Sequence, residues 1–310
     1  MENEEILNPD LPICDAHHHL WDRPNDRYLV REFLRDTGSG HNIVKTVFVG
    51  CKTMYRQDGP VEMRPVGETE FIERITAKNL SSQQGTIQVA AGIIGFADLT
   101  LGMAIEPVLE AHITAGKGRF LGIRMVGKWK TNPKWREGFA CLGKYGLNFD
   151  AFNIGTFAEV AELAGAFPAT TIILNHIGGV LGIGPFSSER DDMIAKWRHG
   201  ISLLPEHPNI FIKLGGLGMA SFGFGWAERT TKPNSIEIAR TIAPYYLECI
   251  EKFGTKRCMF ESNFPVDRIS YSYNSIWNAF KLIVKDFSPD EQSDLLHNTA
   301  VRAYRLMRRL

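Results

Sequence analysis

The stretch ICDAHHHLWD, residues 13–22, sets three consecutive histidines two residues after an aspartate, at the end of a short apolar run. Histidine is a mediocre strand former and costs free energy when buried without partners. The run begins just after a polar leader, residues 1–12, and reads as the first strand of the domain. Side chains alternate between the two faces of a strand. Asp15, His17 and His19 are therefore expected on one face and His18 on the other. Two imidazoles on one face can ligate a single metal ion. The competing reading is a solvated histidine cluster or a tag. Flanking Ile13, Leu20 and Trp21, and a position away from the terminus, speak against a tag.

Beyond this run the chain alternates apolar strand-like segments with helical patterns. Strands are expected at 13–19, 44–51, 87–96, 120–127, 147–154, 170–178, 210–217 and 257–264. Helical periodicity follows the second strand over 66–80, the third over 105–115, the fifth over 156–167, the sixth over 190–204 and the seventh over 235–254. Two more helical stretches, 273–286 and 288–309, close the chain. Alternation of this kind implies parallel strands with crossover helices. Eight such units in a chain of 310 residues fit an α/β protein built as a (β/α)8 TIM-type barrel. A doubly wound open sheet is the alternative. It calls for a glycine-rich fingerprint after the first strand, and none follows DAHHHLWD.

Apolar residues make up 44% of the chain and charged residues 23%, which suits a globular protein with a substantial core. The 35 basic and 35 acidic residues cancel, so neither nucleic acid nor a membrane surface is expected as partner. A small-molecule substrate is. A homo-oligomer is compatible with the composition but not specified by it. The leader lacks the basic and apolar regions of a signal peptide. Cys14, Cys51, Cys141, Cys249 and Cys258 are odd in number and lack CxxC spacing, so reduced thiols in the cytoplasm are expected. One domain over 1–310, after the leader, accounts for the whole chain.

In a barrel, the C-terminal strand ends converge on one site. Those ends offer His17 and His19 from the first strand, Cys51 from the second, and Arg124 with Lys128 and Lys130 from the fourth. The sixth offers His176, the seventh Lys213, and the eighth Glu261 and Asn263 with Asp267 just beyond. Alone, His176 reads equally as a satisfied core histidine, Lys213 as an ion-pair partner and Asp267 as a cap. Their shared position carries the argument. Two insertions, 52–67 and 218–235, lie on the same side. The second holds Trp226 and is expected to act as an aromatic lid or simply as a connection.

DAHHHLWD, ILNHIGG, MFESNFPVDR and HNTAVRAYRL together resemble the amidohydrolase superfamily, in the branch that includes 2-pyrone-4,6-dicarboxylate lactonase and sugar lactonases. A more distant decarboxylase of aminocarboxymuconate semialdehyde shares the motif order. The resemblance spans residues 13–308 and implies a distorted (β/α)8 barrel. It implies metal ligation by His17, His19 and His176, with one zinc ion the expected cofactor and a metal-free mechanism the alternative. The family's eighth-strand aspartate is replaced here by Asn263. An amide cannot act as a general base near neutral pH and is a poorer ligand than a carboxylate. Glu261 is the expected replacement, with Asp267 the alternative.

The expected reaction is hydrolysis of a small, carboxylated lactone or ester. It needs an activated water, a polarised carbonyl and a protonated leaving group. Catalysis falls to Glu261, Asn263, Asp267 and His176, and substrate contact to Arg124, Lys128, Cys51 and Trp226. Arg124 stands out because it interrupts an apolar strand, and guanidinium grips carboxylates bidentately. A metal-dependent decarboxylase of an unsaturated acid and a ligand-binding barrel without turnover are the competing functions.

Overall fold

The computed structural model describes residues 4–80, 87–126, 129–179, 189–222 and 224–306. Eight parallel strands form one sheet in sequence order: β1 (Ile13–His18), β2 (Ile43–Val49), β3 (Gln88–Gly95), β4 (Phe120–Met125), β5 (Asn148–Ala151), β6 (Ile172–Leu174), β7 (Ile210–Leu214) and β8 (Cys258–Phe260). A helix follows each strand: α1 (Val30–Thr37), α2 (Val66–Leu80), α3 (Glu106–Gly116), α4 (Pro133–Lys144), α5 (Phe157–Ala166), α6 (Arg190–Ile201), α7 (Ser235–Phe253) and α8 (Tyr273–Ile283). This is a (β/α)8 barrel. It is distorted where β8 meets β1, because closure there rests on a single bridge, His18 to Phe264, flanked by His19 N–H to Phe264 O and Asn263 N–H to His17 O.

The sequence pattern anticipates every barrel strand but overshoots their ends. The expected sixth strand, 170–178, stops at Leu174, and the eighth, 257–264, stops at Phe260. The remainder turns sharply into the mouth, which brings His176, Glu261 and Asn263 there from turns rather than from pleats. Helices α1 and α4 and a small antiparallel hairpin, Trp21–Arg23 with Asp26–Tyr28, are additions that periodicity alone does not mark. Helix α4 begins with Asn132 as cap and Pro133 at its first position, a start signal that a short, glycine-interrupted stretch hides.

Inside the strands, Cys14, Ala16, Val47, Val49, Ile94, Ile173 and Met259 form one buried cluster, closed by Ala300, Ala303, Tyr304 and Leu306 of the C-terminal segment. The same segment is tied to strand starts by Lys45 Nζ to Leu306 O at 3.1 Å and Asn148 Nδ2 to Ala303 O at 2.8 Å. The HNTAVRAYRL motif is thus the plug of the barrel floor. A larger core lies between the strands and the helix ring. Among the described residues, no helix is long and apolar enough to cross a membrane.

Candidate active site

The β1 alternation breaks at its end. Pairing with β2 slips between Asp15 and His18, as at a bulge, which re-aims the side chains that follow. The expected common face of Asp15, His17 and His19 is corrected accordingly. Asp15 turns away to accept from Ser262 N at 2.9 Å, Ser262 Oγ at 2.6 Å and Tyr273 Oη at 3.0 Å, and burial pushes its carboxyl up to about 6. His18 also leaves the interior, stacking on Phe33 of α1 with Thr46 Oγ1 2.9 Å from its Nε2. His17 and His19 remain together, their Nε2 atoms 3.3 Å apart.

The tautomers of these two rings follow from their partners. His19 Nδ1 lies 2.7 Å from Val49 O, which can only accept, so Nδ1 carries the proton and Nε2 a bare lone pair. His17 Nδ1 lies 2.7 Å from Glu261 Oε2. That contact is out of line for a full hydrogen bond, and Lys213 Nζ lies 3.4 Å from the same nitrogen; Arg124 Nη1, which can only donate, lies 3.3 Å from Nε2, so we take Nε2 as the acceptor and place the proton on Nδ1. Burial drives both rings well below the usual histidine pKa, helped by Lys213 beside His17 and Arg124 beside His19. Both are neutral, with Nε2 forward.

Glu261 is fully buried and holds His176 twice, accepting from its Nδ1 at 2.5 Å and its backbone N–H at 3.2 Å. His176 and Ile177 both sit in the left-handed region, at φ 52° and 49°. A β-branched residue there is strained, and the Glu261 clamp on the neighbouring backbone offsets that cost. The turn after β7 has to approach closely. A Cβ on Gly215 would lie 2.2 Å from Glu261 Cγ, and one on Gly216, at φ +74°, would lie 2.2 Å from His176 Nδ1. The two glycines of LGGLGM therefore admit the carboxylate and imidazole side by side. The rings of His17 and His176 stack with centroids 4.8 Å apart. Ligand atoms of His17, His176 and Glu261 all lie within 4.8 Å of one another.

Two cations flank this cluster. Lys213 is fully buried and donates to Asp150 Oδ2 at 2.7 Å, with Glu261 Oε2 at 3.9 Å. Asp150 also accepts from Tyr304 Oη at 2.9 Å and Asn175 Nδ2 at 3.0 Å, so the C-terminal plug reaches the floor of the site. Sequence reasoning placed Lys213 there but not its partners. A buried aspartate in the NFDA strand was the available signal, since a carboxylate at such a position needs a cation. Arg124 is half-buried, with Nη1 3.3 Å from His17 Nε2 and Nη2 donating to Gly50 O at 2.6 Å. Among the described residues no carboxylate lies within ion-pair distance of it.

The remaining candidates are placed as follows. Asn263 donates Nδ2 to Asp267 Oδ1 at 2.8 Å. Asp267, fully buried, also accepts from Gly218 N at 3.0 Å and Tyr271 Oη at 2.5 Å, and burial raises it to about 6. Trp226 is buried, stacked on Phe224 and edge-on to Tyr271, one residue removed from Asp267. Cys51 is half-buried, its thiol pushed up by burial and its backbone N–H donating to Glu68 Oε1 at 2.8 Å. Lys130 pairs with Glu162 in an exposed ion pair. Lys128 lies outside the described residues.

Chemically, the cluster offers two bare imidazole nitrogens side by side, a carboxylate–imidazole dyad and a guanidinium with no carboxylate in direct contact. The spacing of the His17 and His19 nitrogens suits a metal: two nitrogens about 2.0–2.1 Å from a tetrahedral zinc are separated by roughly 3.3 Å. Glu261 behind the rings is the kind of outer carboxylate that fixes ligand tautomers.

Comparison with known proteins agrees on the architecture. The sequence profile of the amidohydrolase family matches residues 14–306. An uncharacterised protein of Sinorhizobium fredii is 32% identical, over 96% of this chain and 99% of its own. The L-fucono-1,5-lactonase of Burkholderia ambifaria is 22% identical, over 95% and 96%. The crystal structure of an amidohydrolase from Burkholderia multivorans with bound zinc superimposes with a TM-score of 0.71 at 20% identity, over 96% of this chain and 100% of that one.

Proposed function

The chain belongs to the amidohydrolase family, and from that premise we propose that it hydrolyses a small, carboxylated lactone or related ester at the histidine-lined mouth of the barrel. The observation that carries the reading is the Glu261 clamp, which sets His176 with its proton on Nδ1 and leaves Nε2 free to take a proton. A carboxylate in this position holds the tautomer and stabilises the imidazolium that forms. The lactonase name of the Burkholderia ambifaria relative supports a lactone as the substrate.

In this reading His176 Nε2 removes a proton from the attacking water, and the Glu261 carboxylate stabilises the imidazolium that forms. Arg124, which has no carboxylate in direct contact, faces the oxygen that becomes negative as the tetrahedral intermediate forms, or a carboxylate on the substrate. His176 then returns the proton to the ring oxygen as the lactone opens. Asn263, its amide turned by Asp267, holds the water by an acceptor and does not deprotonate it. His17 and His19 would hold a divalent ion, zinc by the chemistry of the donors, while His176, the expected third ligand, is assigned here to the proton instead; when bound, the ion would supply Lewis acidity and lower the pKa of water. The five unpaired cysteines support the expected cytoplasmic setting.

The test is a panel of neutral and carboxylated γ- and δ-lactones, with proton release measured on metal-stripped and zinc-replete protein. Hydrolysis of at least one lactone, lost in His176→Asn by about 10²–10⁴-fold, is expected. No lactone turnover, together with CO2 release from an unsaturated carboxylic acid, would replace hydrolysis with decarboxylation.

A further inference from the structure

We infer that Arg124 and a divalent ion exclude each other at the His17–His19 pair: the guanidinium is the pair's resident cation, and metal enters only when it swings away. The inference rests on the reading of those two histidines as the metal-holding group.

Both histidines present bare Nε2 lone pairs, 3.3 Å apart. Facing lone pairs at that distance repel unless a positive group lies against them. Arg124 Nη1 supplies it, 3.3 Å from His17 Nε2. A guanidinium stays protonated in proteins, so it cannot yield by losing charge. It can only move. The other nearby cation differs. Lys213 lies 3.4 Å from His17 Nδ1, but Asp150 at 2.7 Å and Glu261 at 3.9 Å neutralise it. It also lies on the Nδ1 side of the ring, away from Nε2.

Nothing holds Arg124 as firmly. Among the described residues its partners are one imidazole nitrogen and the Gly50 carbonyl, with no carboxylate within ion-pair distance. The buried Glu68, whose Oε2 has no hydrogen-bond partner, lies on the same side of the mouth, held to Cys51 N and Thr53 N through Oε1. It gives a displaced guanidinium a carboxylate to approach. Moving a unit charge next to a dication, even several ångströms away and partly solvated, costs enough to weaken binding on the order of 10- to 100-fold.

The experiment measures zinc affinity directly, on metal-stripped protein, by competition with a chromophoric chelator. Arg124→Met and Arg124→Gln should bind zinc about 10- to 100-fold more tightly than wild type. Arg124→Lys, which keeps the charge, should stay within a few-fold of wild type. His19→Ala in the Arg124→Met background should abolish the gain. Arg124→Gln keeps a donor for Gly50 O and serves if the methionine variant does not fold. Equal affinity in wild type and both neutral variants, or tight binding that survives His19→Ala, would overturn the inference. The lactone panel separates it from the functional proposal. Tighter zinc binding by the Arg124 variants, with no lactone turnover by wild type, leaves Arg124 as the metal's competitor and removes the lactonase reading. Turnover without tightening does the reverse.

Discussion

Replacing Glu261 by glutamine strikes the site at one atom. The carboxylate has acceptors on both sides: Oε1 takes His176 Nδ1–H at 2.5 Å and its backbone N–H at 3.2 Å, while Oε2 faces His17 Nδ1 at 2.7 Å. An amide has one acceptor and one donor. If its oxygen stays on His176, its NH2 meets His17 Nδ1, and that ring must move its proton to Nε2. If the amide turns over, His176 loses the tautomer that lets it act as a base. Either way one imidazole faces the substrate with a proton where a lone pair is needed. In a carboxylate–histidine pair such an exchange costs about 10⁴ in kcat with the geometry intact, and loss of a general base costs about 10²–10⁴. A fall of roughly 10³-fold in lactone turnover is therefore expected. Stability should drop by only about 1–3 kcal/mol, the scale of one mismatched buried hydrogen bond. Steady-state kinetics and ¹⁵N NMR of the imidazoles read the two effects separately. Turnover within tenfold of wild type, with both rings still protonated at Nδ1, would refute the reasoning.

Asp267→Asn should lower turnover much less than Glu261→Gln, because Asp267 is saturated by Asn263, Gly218 and Tyr271; the reverse ranking would make Asp267 the base. Lys213→Met strands the fully buried Asp150 and should cost about 3–5 kcal/mol in urea unfolding, with Asp150→Asn added in the same chain recovering part of the loss. Gly216→Ala puts a Cβ 2.2 Å from His176 Nδ1 at φ +74°, so turnover and thermal midpoint should fall together; an unchanged melting curve would show that the turn yields. His112, buried between Thr69 and Phe96, is pushed down to about 4 from the ordinary 6.5 by burial, with Arg56 lowering it slightly and Glu70 opposing. Between those values the unfolded chain binds the extra proton, so stability falls as pH drops from about 6.5 towards 4. Wild type should lose on the order of 2–3 kcal/mol relative to His112→Gln between pH 7.5 and 4.5 in paired urea titrations. A constant difference would place the titration elsewhere.

The eight strands were legible in the sequence because each is a short apolar run between helical patterns, and hydrophobic periodicity is a local property. Helices α1 and α4 were less so. VREFLRDT is short and charged, and PKWREGFACLGK carries an internal glycine, so their apolar faces become clear only against the strands they cover. The motif residues converged for a similar reason: strand order fixes which chain segments reach the C-terminal mouth, and His17, His19, His176, Glu261, Asn263 and Arg124 all lie at such ends. What each can do there was not written in the order of residues. The slip after Asp15 sent a carboxylate outward that strict alternation puts beside the histidines. Glu261 reads locally as a lone acid after an apolar strand; only the turn at left-handed His176 and the bare backbone of Gly215 and Gly216 set it against two Nδ1 atoms. The sequence by itself determined the barrel and which motif residues stand at its mouth, because both follow from periodicity and position along the chain, but not the buried Asp150 beneath them. Tertiary structure alone decided which nitrogen of each ring carries its proton and which cation faces it. Those depend on partners 30 to 107 residues away: Val49 for His19, Glu261 for His176 and Arg124 for His17.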